Sequence, residues 1–212
     1  MRTDLWSARI NTGGFLFFLI AGLVLLFQVK TNVPKIHPGF LTAYLFVMFT
    51  FWPIQIVYHR LLMRGKEVET LRRVDRGSML FLLAAIFSPV LVRYCAAPVG
   101  WIISIILWSL SVAGMIVLLS MKELPRILTP IVGFLMGILG IGGVLSAWNQ
   151  IPPCGEWLFI FGAFFLIAGG AVYSVKKPDP FPQFFGFHEL FHTLMMIGAM
   201  ILHFLISGAF LN

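Results

Sequence analysis

His188 and His192 stand four residues apart in the run FHELFH. On an α-helix that spacing sets two imidazoles on one face about one turn apart, where they can hold one metal ion together. Glu189 points about 100° away and is excluded from the same coordination geometry. A third ligand has to come from another helix, and His59 is the candidate. Three imidazoles with an open fourth position describe a catalytic zinc site rather than a closed structural one, and nitrogen donors favour zinc or another transition metal over calcium or magnesium. Asp75 is the carboxylate to set beside them and the candidate base. An isolated HxxxH pair often does no more than satisfy itself or the backbone, so the metal reading depends on whether the elements bring all four residues to one depth.

Those elements are written in the composition. Of 212 residues 59% are apolar and 11% charged, against about 45–50% and about 25% in a soluble domain. With 22 Phe the chain is neither disordered, collagen-like nor a disulfide scaffold. Apolar runs cover 10–28, 40–59, 75–93, 100–120, 127–147, 156–175 and 187–211, each long enough to cross a bilayer that needs about 20 residues. The turn-rich stretches VPKIHPG, AAPVG, MKELPR, QIPPCGE and KKPDPFPQFFG separate them. The first run is followed by no small-residue cleavage site and is read as a helix rather than a signal peptide. The expected fold is an all-α membrane protein, a seven-transmembrane helix bundle forming one membrane domain over 1–212, with no room for a separate soluble domain. Pro53 and Pro89 are expected to kink their helices, and Gly133, Gly137 and Gly140 read as a small-residue packing stripe.

On this layout His59 closes the second run, Asp75 opens the third, and His188 and His192 lie in the first turns of the seventh, all toward one side of the membrane. Asn11 falls at the same depth and is expected to supply a supporting hydrogen bond. His203, eleven residues beyond His192, shares its face but lies about 16 Å deeper, and suits a hydrogen bond between helices. His37 reads as solvated, and Asp4, Glu67, Glu69, Glu123, Glu156 and Asp179 as solvated loop or span-edge charge.

The net charge of +7 is carried by short loops and so reads as an orientation signal, with no nucleic-acid partner expected. The N-terminus and the loops holding Arg60 to Arg76, Lys122 to Arg126 and Lys176–Lys177 gather 12 Lys and Arg on one side, against Lys30, Lys35 and Arg93 on the other. By the positive-inside rule the N-terminus is cytoplasmic and the C-terminus outside, in a multi-pass protein of the cell (inner) membrane. Cys95 and Cys154 then both face outward, where a disulfide persists, and are expected to lie close enough to bridge.

KKPDPFPQFFGFHELFH, followed by a helix containing LHF, resembles the last cytoplasmic loop and seventh helix of the bacterial hemolysin III family, the small members of the progestin and adipoQ receptor superfamily. Residues 55 to 75, QIVYHRLLMRGKEVETLRRVD, resemble that family's second motif. The resemblance implies seven helices, zinc on His59, His188 and His192, and Asp75 near the zinc through water; some superfamily members are similar to lipid amidases of ceramidase type. This chain departs from the pattern at three places. Gln55 stands where the family has Ser, Arg76 follows the aspartate where His is usual, and the helix 1 motif, Glu with Asn four residues later, is left as Ser7 and Asn11.

Two functions follow. One is a zinc-dependent hydrolase of a lipid amide or ester, with membrane lipids around it and catalysis weakened by the altered surroundings. The alternative is a non-catalytic membrane sensor or complex subunit with a structural zinc. A pore-forming haemolysin is not supported, since no strongly amphipathic insertion-competent segment is present. The topology is open to a direct test: a reporter fused at Asn212 is expected to be active only outside the cytoplasm, and activity confined to the cytoplasm would overturn the orientation.

Overall fold

The computed structural model describes residues 2–31, 36–121 and 127–211. Lys35, Lys122, Glu123, Arg126 and Asn212, together with the side chain of Arg2, lie outside the described residues. The described chain forms seven long helices: α1 (Arg2–Thr31), α2 (Pro38–Met63), α3 (Glu69–Tyr94), α4 (Val99–Ser120), α5 (Leu128–Ser146), α6 (Pro153–Val175) and α7 (Phe187–Leu211). All seven are long and apolar enough to cross a membrane. In lipid a helix satisfies its own backbone hydrogen bonds, so an apolar chain of this kind has little alternative.

The apolar runs understate two helices. α1 starts at Arg2 and α3 at Glu69, so Asp75 does not open α3 but sits inside it, nearly two turns from its start. Charge pairs at helical spacing carry α3 beyond its apolar stretch: Arg73 Nε donates to Glu69 Oε1 at 2.9 Å, and Arg72 bonds both Glu69 and Glu67. Arg73 also donates to the carbonyls of Leu118 and Met121, stapling the start of α3 to the end of α4. Pro53 and Pro89 lie within α2 and α3 without ending them. His37 is exposed but has a local task, accepting the Gly39 N–H at 3.1 Å to cap α2.

α3 is the hub, packing against α2, α4, α5 and α7, while α1 bridges α2 and α7, and α6 lies along α7. α5 and α6 barely touch, which leaves a seam in the wall of the bundle. The core is apolar and aromatic, with the Phe18 and Trp52 rings stacked at 5.4 Å between α1 and α2.

The glycine stripe on α5 divides. A Cβ on Gly140 would run into the Phe87 ring at 2.5–2.7 Å, so that glycine is a packing residue, whereas one on Gly137 would meet nothing within 4 Å. Packing therefore does not account for the whole stripe; Gly133 and Gly137 instead line a cavity. The expected Cys95–Cys154 bridge is also absent, and both thiols are free. The Cys95 Sγ donates to the Gly143 carbonyl on α5 at 3.2 Å and its pKa is raised by burial, while Cys154 is exposed in the first turn of α6.

The backbones of α6 and α7 also approach closely. A Cβ on Gly198 would stand 2.9 Å from the Gly162 carbonyl oxygen, so the two helices must separate to admit it. Gly198→Ala is expected to cost about 1–3 kcal/mol and to lower the thermal midpoint in detergent, whereas Gly137→Ala should leave it unchanged. Equal midpoints for both variants would contradict this packing.

Candidate metal centre

At the end of the bundle that holds the N-terminus, His59 from α2 meets His188 and His192 from α7. Their ligand nitrogens lie within 4.8 Å of one another. His192 Nε2 is 3.2 Å from His59 Nε2 and 3.1 Å from His188 Nε2. His59 and His192 are almost wholly buried, and His188 is half-buried.

The arrangement has a proton problem that a cation solves. The other nitrogen of His59, Nδ1, faces Asp4 Oδ1 at 3.4 Å, and a carboxylate partner there keeps the proton on Nδ1 and leaves Nε2 as a lone pair. His192 Nε2 can donate at most one proton, so it cannot satisfy both neighbours while acting as acceptor for neither. A cation among the three nitrogens turns every lone pair to use. Donors held about 2.0–2.1 Å from a tetrahedral ion stand about 3.3 Å apart, and the two short separations match that spacing. The donor set thus fits a metal ion.

Asp75 lies on the wall of the same cavity as the histidines, and its Oδ1 is buried with no hydrogen-bond partner among the described residues. Gln55 is fully buried, and its amide finds room by reaching across to α3: Nε2 donates to the Ser78 hydroxyl at 3.2 Å and approaches the Asp75 carbonyl at 3.4 Å. It therefore ties α2 to the backbone that carries Asp75 instead of contacting the imidazoles. Asn11 is fully buried, and its Oδ1 has no hydrogen-bond partner among the described residues. Its Nδ2 donates to the Ser7 carbonyl of its own helix at 2.8 Å.

Three acidic residues make supporting contacts that the sequence alone does not assign to them, and two of these, Asp4 and Asp179, read there as solvated. Asp4 orients His59, as above. Glu189 is buried and fastens α7 to α1, accepting the Ser7 hydroxyl at 2.9 Å and the Gly186 N–H at 2.9 Å. Asp179 similarly accepts the Phe187 N–H at 2.8 Å and caps α7 just ahead of the ligand pair. Further along the bundle, His203 bonds the Tyr44 hydroxyl at 2.7 Å, the link between helices that its depth suggested.

From the histidines a cavity of about 530 Å³ runs between α3, α5, α6 and α7. Its walls on α3 extend from Asp75 to Phe87, about 18 Å at 1.5 Å per residue, and are apolar beyond the polar end. Phe134, Ile138 and Ile167 line it while lying 69%, 53% and 58% exposed on the outer surface, so it opens sideways through the α5–α6 seam. A second cavity of about 660 Å³, bordered by His59, His188 and Asp75, opens toward the bundle end.

A seven-helix membrane bundle with a buried three-histidine group matches a family model described as Haemolysin-III related over residues 3–204. The chain belongs to that family. It is also similar to the Hemolysin-3 homolog of Bacillus subtilis (strain 168), 23% identical over 139 residues, which are 66% of this chain and 62% of that protein. The match thus spans under two thirds of the relative's length.

If Asp4 positions His59 for an ion, Asp4→Ala should weaken metal affinity about tenfold, read by competition with a chromogenic chelator, and His192→Ala should abolish tight binding. Unchanged affinity in Asp4→Ala would show that the carboxylate does not act through His59.

Proposed function

We propose that the protein is a multi-pass hydrolase of the inner membrane, holding zinc on His59, His188 and His192 near the cytoplasmic face and acting slowly on a lipid amide or ester. The observation that carries this reading is the apolar cavity that leads from a sideways opening in the bundle wall to the Asp75 carboxylate and the histidines. A site reached from the membrane side favours an acyl chain over a soluble polar molecule, and a cavity of this length takes most of one. The orientation rests on the distribution of Lys and Arg, and zinc on the nitrogen donor set.

His59, His188 and His192 would hold the zinc, which when bound would supply Lewis acidity toward an acyl carbonyl and a nucleophilic water near neutral pH. The chain's own residues do the rest. The apolar walls hold the acyl chain and exclude bulk water from the reacting carbon. Asp75 presents a carboxylate oxygen with no competing hydrogen bond among the described residues and takes the proton of the attacking water. Gln55 holds the Asp75 backbone through its contact with the Asp75 carbonyl, and Asp4 keeps His59 in the tautomer that turns Nε2 inward. Arg76, one residue from the base and lining the same cavity, sets a permanent positive charge near that carboxylate and opposes its taking up a proton, so turnover is slow.

The second reading, a lipid sensor or complex subunit with a structural metal, draws on the same Arg76 and on Gln55. The two part in one assay. Purified, zinc-loaded protein given a ceramide-like amide is expected to release fatty acid slowly, and Asp75→Asn should lower release by about 100-fold or more with zinc still bound. No release at any protein concentration, with one zinc per chain retained, would leave the non-catalytic reading standing.

A further inference from the structure

Arg76 is the half-buried arginine at this end of the bundle that makes no ion pair or hydrogen bond among the described residues. Arg72 is paired with Glu67 and Glu69, Arg73 with Glu69 and the α4 carbonyls, and Arg9 lies over the Trp6 ring at 5.4 Å, whereas Arg60 and Arg64 are exposed. Arg76 has no ion pair or hydrogen bond among the described residues, and it lines both the apolar cavity and the cavity that opens at the bundle end. The charge of its neighbour Asp75 acts on it at a distance, but the two side chains form no ion pair or hydrogen bond among the described residues. Adjacent helix positions diverge by about 100°, so a group held at the tip of the long Arg76 side chain stands clear of the Asp75 carboxylate. The charged groups lining the outer cavity are Asp4, Asp75, Arg76 and Lys176; of these Asp4 already faces the His59 Nδ1 and Lys176 sits exposed at the rim, at the end of α6.

A planar, permanently charged fork where the apolar cavity meets the one that opens at the bundle end is suited to a carboxylate or phosphate, which it binds through two parallel hydrogen bonds. We propose that Arg76, with Lys176 at the rim, forms an anion subsite, and that the ligand of this cavity is an anionic amphiphile: an acyl chain in the α5–α6 cavity and an acidic group beside its amide or ester carbonyl. An acyl chain joined through an amide to an amino acid has this form, and so does an acyl ester carrying a phosphate. A neutral lipid amide would leave Arg76 facing the cavity without a partner, at a cost in desolvation that an acidic headgroup removes. This inference rests on the lipid reading of the cavity given above, and it specifies the headgroup that reading leaves open.

The experiment measures binding rather than turnover, on zinc-loaded full-length protein in a neutral detergent. N-palmitoylglycine is compared with N-palmitoylethanolamine, which differs in lacking the carboxylate, and with 1-palmitoyl lysophosphatidic acid, which carries a phosphate. Wild type is expected to prefer the acidic amide over the neutral one by about tenfold, as one charge-assisted hydrogen-bonded contact supplies. In Arg76→Gln, which retains the metal ligands, that ratio should fall to about one, with binding of the neutral amide reporting that the cavity is intact. A stronger, Arg76-dependent preference for the lysophosphatidic acid supports the subsite and assigns the anion to a phosphate headgroup. Equal affinities for acidic and neutral amides in wild type, or a preference that survives Arg76→Gln, overturn the anion subsite alone. Failure of all three to bind overturns the lipid reading along with it.

Discussion

Two helices that scarcely touch have to be held in register. α2 and α7 make almost no close backbone contact, yet the metal centre requires His59 of one to meet His188 and His192 of the other. The surrounding helices solve this from both sides. α1 packs on α2 and α7 together, and its polar face does specific work on each: Asp4 reaches His59 on α2, and Ser7 reaches Glu189 on α7. On the opposite side α3 also contacts both, with Gln55 of α2 bonded to Ser78 and to the Asp75 carbonyl. Further along, the Tyr44–His203 hydrogen bond joins α2 to α7 directly. Inside a bilayer an unpartnered polar group is costly, so each contact fixes rotation as well as height.

The same economy explains where the bundle is loose. Small residues let α6 and α7 approach until the Gly162 carbonyl lies where a Gly198 side chain would be, and Gly140 takes in the Phe87 ring. α5 is held to α3 by that contact and to the end of α3 by the Cys95 thiol on the Gly143 carbonyl. Nothing comparable joins α5 to α6 among the described residues, and the space between them becomes the apolar cavity. Gly133 and Gly137 therefore contribute by lacking side chains on the cavity wall, where a bulky residue would occupy the room that the acyl-chain reading needs.

The seven helices were legible from apolar runs because a lipid-facing helix must be apolar over about 20 residues whatever it packs against. The ends were less so. α3 extends back to Glu69 through charged residues that pair along the helix, which moved Asp75 from its start to its interior. The three histidines could be named because imidazoles at four-residue spacing, with a third at equal depth, are uncommon in such a chain. Their supports were harder to read. Asp4 looked like a solvated terminal charge, yet Asp4, Ser7 and Asn11 follow one another at three and four residues and so share one face of α1. A polar stripe on an otherwise apolar helix was the available signal. Which member of it reaches α2 and which reaches α7 depends on helix rotation, which no single helix encodes. The cysteines failed for a related reason: shared sidedness does not bring two side chains within bonding distance.

The departures from the family pattern gain meaning from position. Gln55 is longer than the serine it stands for, and its extra reach is absorbed by Ser78 on the neighbouring helix, leaving the imidazoles undisturbed. Arg76 is not absorbed in that way. It faces both cavities without a described partner, so the substitution changes what the site meets rather than how the site is built. A permanent cation stands there in place of a neutral or titratable imidazole, while the three histidines remain together. The three-histidine group and the wall opposite it are thus built by different helices, so the wall can change while the histidines stay together.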